Sequence, residues 1–165
     1  MTLGIVLEKG SSFFTEAVTL SKDVPVEGLE IGVGLDLSAE REHTGDLFID
    51  EKKLIVSLFE KPHNREGEDG SMMNAIFAMP GMGGIALADG PEGAKMIMTE
   101  PLKQHGTALL VRAGADWTEA GRFRDAKSWH GHVRGEQVAS EQSVARMFKA
   151  MIDSKFRTQK KGKDK

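Results

Sequence analysis

The chain has 165 residues, 39% hydrophobic and 28% charged, which suits one globular domain with a real core. It contains no cysteine, which excludes a disulfide framework and a thiolate metal site. Its net charge of −3 divides unevenly: residues 155–165 carry six bases against one acid, leaving −8 on residues 1–154. That excludes the usual nucleic-acid footprint, which is basic over a folded face.

The N-terminal run Met1–Glu8 lacks a basic start and is too short in apolar residues for a signal peptide. No stretch approaches the ~20 apolar residues of a membrane helix. As written, the chain reads as cytoplasmic, without a membrane partner. Residues 12–20 alternate roughly between apolar and polar. Residues 30–37 do so cleanly, with Ile31, Val33, Leu35 and Leu37 on one face. Gly32 and Gly34 strip the other face, so a ligand or another backbone is expected to approach it. Residues 46–49 and 53–59 flank a turn at Asp50–Lys52 and predict a hairpin.

Further strands are expected at 74–79, 84–88, 95–99 and 106–112. The Gly/Pro segments 80–84 and 89–93 between them are turn chemistry. Pro80-Gly81-Met82-Gly83-Gly84 is not a phosphate cradle, because a strand follows it and such a loop needs a helix. Strands at short spacing with such turns predict a mainly β, antiparallel β-sandwich. Loops 38–44 and 63–71 concentrate charged and imidazole side chains.

Both tryptophans lie within residues 112–129, fed by the apolar run Ala108–Val111. Thr118 and Asp125 offer side-chain oxygens to cap short helical turns. Then the period changes. Val144, Met147, Phe148, Met151, Ile152 and Phe156 form one stripe on an α-helix, capped by Ser140 or Ser143. The organisation expected is a sandwich over 1–139, a helix over 140–156 packed on it, and a disordered basic tail over 157–165.

The candidate chemistry is sparse. Arg41 and His43 lie together before Asp46; a cation for a carboxylate and an imidazole for proton transfer are what β-elimination at a uronic acid requires. They stand as the catalytic candidates, with His63 and Arg65 as substrate contacts. The chain has no tyrosine, which removes the phenol that often serves such eliminations. Trp117 and Trp129 suit stacking on sugar rings, and equally suit plugging a core. His130 and His132, at i and i+2, diverge on a helix, so no metal and no cofactor is assigned.

Residues 114–129, Gly-Ala-Asp-Trp-Thr-Glu-Ala-Gly-Arg-Phe-Arg-Asp-Ala-Lys-Ser-Trp, resemble a bacterial domain family of unknown function encoded beside polysaccharide-degrading enzymes. Ile31–Leu35 and Met82–Leu87 are similar to that family's weaker strand signatures, in the same order. The resemblance implies a mutarotase-like supersandwich, of which this chain covers the C-terminal half, and a carbohydrate context. Its relatives look exported, and it supplies no catalytic residues. Three readings follow: a lyase-like enzyme on acidic polysaccharide, a non-catalytic carbohydrate-binding module, or a structural subunit. The last docks a second chain, or another copy of itself, through exposed sheet or helix surface.

Overall fold

The structure, a computed structural model, describes residues 1–37, 45–61 and 70–161; of Glu92 and residues 144–161 it describes the backbone. Its elements in chain order are β1 (Thr2–Leu7), β2 (Phe13–Leu20), β3 (Gly32–Leu35), β4 (Asp46–Asp50), β5 (Ile55–Glu60), β6 (Met72–Ala78), β7 (Ile85–Asp89), β8 (Lys95–Thr99), β9 (Gly106–Trp117) and α1 (Ala126–Lys161). The fold is mainly β, with antiparallel sheets and a C-terminal helix, as the alternation and turns predicted.

Six strands form one sheet in the order β1-β2-β9-β6-β5-β4, and three form a second in the order β3-β8-β7. Every pair is antiparallel. The central strands of the larger sheet are covered on both faces. Val18, Val56, Ile76, Leu109 and Val111 point to the smaller sheet and meet Ile97, Val33 and Leu87. Phe13, Ile55, Met73, Ala75 and Phe77 point the other way and meet Trp129 and Val133 of α1. Both faces of β6 are therefore apolar, which explains its unbroken run Ala75-Ile76-Phe77-Ala78. Each large side chain so buried contributes roughly 1.5–3 kcal/mol.

The hairpin lies where it was expected, with β4 Asp46 opposite β5 Phe59. Its turn is longer than Asp50–Lys52. The Asp50 carboxylate accepts from the Lys53 N–H at 3.0 Å, and Leu54 closes the turn in the left-handed region at φ 49°. The open space expected beside Gly32 and Gly34 is filled. An added Cβ would stand 2.6 Å and 2.7 Å from atoms of the Met96 side chain, which lies across both glycines from β8.

Two local readings need correction. The helix begins at Ala126, not at Ser140 or Ser143. Asp125 caps it, as its side chain suggested: the Ser128 N–H donates to Asp125 Oδ1 at 2.7 Å, and Ser128 Oγ donates back to the Asp125 carbonyl at 2.8 Å. The Ser128 N–H on that carboxylate, aided by the Ser128 side chain, holds the Asp125 carboxyl below its ordinary value. Residues 140–156 are the interior of α1, and the helical backbone continues to Lys161, into the stretch expected to be a disordered tail. Thr118 caps nothing. Its hydroxyl oxygen accepts from the Ser71 N–H at 2.7 Å and ties β9 to the start of β6.

The remaining helix contacts are specific. Lys53 pairs with Glu141, whose carboxylate also accepts from Gln137 Nε2 at 2.9 Å. These two bonds hold the Glu141 carboxyl below its usual value. Among the described residues, no helix is long and apolar enough to cross a membrane.

Candidate functional site

The register of the larger sheet places Glu60, Met72 and Trp117 in one cross-strand row. Gly45 extends that row, since a Cβ added there would lie 2.9 Å from the Glu60 Cβ. Trp117 shares a face with Ala113 and Val111, the face that carries the smaller sheet, but lies beyond its cover. Its side chain is 49% exposed, and Met72 opposite is 45% exposed. Among the residues whose side chains the structure describes, it is the one exposed Phe or Trp.

The backbone under Trp117 is held from three sides. The Trp117 N–H donates to Asp116 Oδ1 at 2.8 Å, and the Thr118 N–H donates to the Ser71 carbonyl at 3.0 Å. Gly70, at φ +121°, brings its backbone against the indole; an added Cβ would stand 2.7 Å from Trp117 Nε1. A half-exposed indole on a fixed backbone offers a flat apolar face that loses little side-chain entropy on binding.

Trp129 is no platform. It is fully buried, stacked on Phe13 at a 5.8 Å centroid distance, with Phe123 edge-on at 5.3 Å. Its indole N–H donates to the Asn74 carbonyl at 3.4 Å. No ring face remains for a sugar, which corrects its place among the substrate contacts. Arg41, His43, His63 and Arg65 lie outside the described residues.

On the opposite face, α1 and the β1–β2 turn bound a groove of about 330 Å3, lined by Glu8, Lys9, Ser12, Arg122, Phe123, His132 and Glu136. Its charges are largely engaged within the protein. Arg112, 8% exposed, donates to both Glu8 oxygens at 2.8 and 3.2 Å, with Glu136 at 3.6 Å. Arg122 pairs with the buried carboxylate of Asp116 at 2.7 Å, and Ser12 Oγ donates to the same group at 2.8 Å. These ion pairs fasten the 116–123 corner and α1 to the sheet. Sequence reasoning missed them; the available signal was an arginine inside the otherwise apolar run Leu109–Ala113.

A third cluster imitates a catalytic triad. His130 Nδ1 lies 2.7 Å from Ser57 Oγ, and its Nε2 lies 3.5 Å from Asp46 Oδ1. The carboxylate favours the proton on Nε2, so Ser57 donates to Nδ1. Ser57 is fully buried beneath α1, out of reach of any substrate. The cluster is an anchor for the helix, not a nucleophile. Burial pushes the His130 pKa down, against the opposing pull of Asp46. The sequence signal was Ser57 alone among Ile55, Val56, Leu58 and Phe59.

His132 points away from His130, against Phe123 at 4.8 Å, as helical spacing requires. Among the described residues, no three His, Asp or Glu side chains converge on a metal-sized site.

Comparison of the chain with protein-family models, with curated proteins and with solved structures finds no match.

Proposed function

We propose that this chain is a carbohydrate-binding β-sandwich module that receives an oligosaccharide on Trp117. The observation that supports the reading is the half-exposed indole at the uncovered end of the larger sheet, on a backbone pinned by Ser71, Thr118 and Gly70. A pyranose ring presents an apolar C–H face, and an indole of this exposure matches it. Asn74, in the adjoining cross-strand row of β6, supplies a polar group on the same face for hydroxyls.

The acidic-polysaccharide preference comes from the resemblance. Its catalytic extension, β-elimination with His43 as base or acid and Arg41 neutralising the carboxylate, has one supporting observation. The described chain resumes after them at Gly45, which lies against Glu60 at the far end of the cross-strand row that holds Trp117.

Titration with uronate-containing and neutral oligosaccharides, followed by tryptophan emission and by absorbance of unsaturated product, tests both. Binding shifts emission in the wild type and not in Trp117→Ala. Product formation that His43→Ala abolishes supports the catalytic extension. Emission indifferent to every glycan overturns the module.

A further inference from the structure

Strand β1 is exposed along its whole length and ends the larger sheet. Leu3 is 56%, Ile5 54%, Val6 61% and Leu7 78% exposed. Sheet edges in soluble proteins are ordinarily blunted by charge, proline, a bulge or a covering element. Thr2–Leu7 contains no charge and no proline, and its six-residue register with β2 has no bulge. Its outer backbone groups form an unbulged, uncharged template for another strand.

The geometry points to a second copy of this chain as the occupant, through antiparallel β1–β1 pairing about a two-fold axis. The sheet has two edges, and charge separates the ways they can meet. Pairing β4 with β4 over its full length, centred on Phe48, sets Asp46 opposite Asp50, like charges directly across a ladder. Pairing β1 with β4 is head-to-tail and leaves a free edge at each end, so it does not close. Pairing β1 with β1 closes, and sets no like charges against each other.

A two-fold axis perpendicular to the sheet keeps each face continuous, so residues of like parity pair. Centred on Ile5, Leu3 meets the partner's Leu7, Ile5 meets the partner's Ile5, and Gly4 meets the partner's Val6. Leu3, Ile5 and Leu7 lie on the face of Val18 and Phe14, with Glu16 beside Ile5, so the pairing gathers the three apolar residues of each copy on one face. One strand pair is a small interface, so association is concentration-dependent.

Light scattering across a concentration series reads the mass directly. We expect a shift from 18.0 kDa toward twice that value as concentration rises. Ile5→Lys keeps the fold, checked by circular dichroism, and holds the protein at the monomer mass. The absence of native cysteine permits a second readout. Ile5→Cys, on the two-fold axis, forms a disulfide-linked dimer under mild oxidation, whereas Leu47→Cys on β4 does not. A monomer at every concentration, a dimer indifferent to Ile5→Lys, or cross-linking through Leu47→Cys in place of Ile5→Cys overturns the inference.

Discussion

Phe13 and Trp129 lie with ring planes 4° apart across the seam between β2 and α1. Gly114, directly opposite Phe13 on β9, makes room for this contact: an added Cβ would stand 2.4 Å from the Phe13 ring. The helix docks on an aromatic layer that a single methyl group would disturb.

Gly114→Ala is therefore expected to cost about 1–3 kcal/mol, the range for overpacking a filled core. Urea unfolding measures it. In a Phe13→Leu background the same change costs less, because the clashing ring is gone. Equal costs in the two backgrounds would show that the strain lies elsewhere.

The buried imidazole of His130 gives stability a pH dependence. Burial holds its pKa below the free value of ~6.5. Between the two values the unfolded chain holds more protons, so stability rises with pH there. The neutral, Ser57-bound ring keeps its full contribution above pH ~6.5 and loses it as pH falls through the folded pKa, by at most ~1.4 kcal/mol per pH unit from this one group. His130→Gln should flatten the slope of urea midpoint against pH between about 7 and 5. An unchanged slope would assign the dependence to other groups.

The two tryptophans should separate in emission. Trp129 is dry and Trp117 half-exposed, so acrylamide should quench mainly the red-shifted component. Trp117→Phe removes that component and changes stability by only about 0.5 kcal/mol, as surface substitutions do. Trp129→Ala costs about 3–5 kcal/mol. A quenchable, red-shifted emission that survives in Trp117→Phe would contradict the burial of Trp129.

Arg112 predicts an asymmetry. Removing its charge in Arg112→Met leaves Glu8 and Glu136, at 48% and 30% side-chain exposure, able to turn to water. The expected cost is ~1 kcal/mol or less, because an apolar side chain of similar size replaces a buried ion. Glu8→Gln combined with Glu136→Gln strands the guanidinium under α1 and should cost about 3 kcal/mol. Comparing urea midpoints of the two variants decides it, and the reverse order would refute the account.

Periodicity and turn residues determined most strands, the β4–β5 hairpin, the antiparallel class and the Asp125 cap, because each depends on residues a few positions apart. Strand β1 escaped because Thr2–Leu7 shows no clean alternation. The first half of α1 escaped for another reason. Its buried stripe is Trp129, His130, Val133, Gln137 and Ser140, helical in spacing but largely polar, so hydropathy does not mark it. Tertiary structure alone decided that β9 lies between β2 and β6, that Arg112 meets Glu8, and that Trp129 is sealed while Trp117 faces water. A strand's own residues define its two faces, but which neighbours cover those faces is settled by contacts between segments distant in the chain.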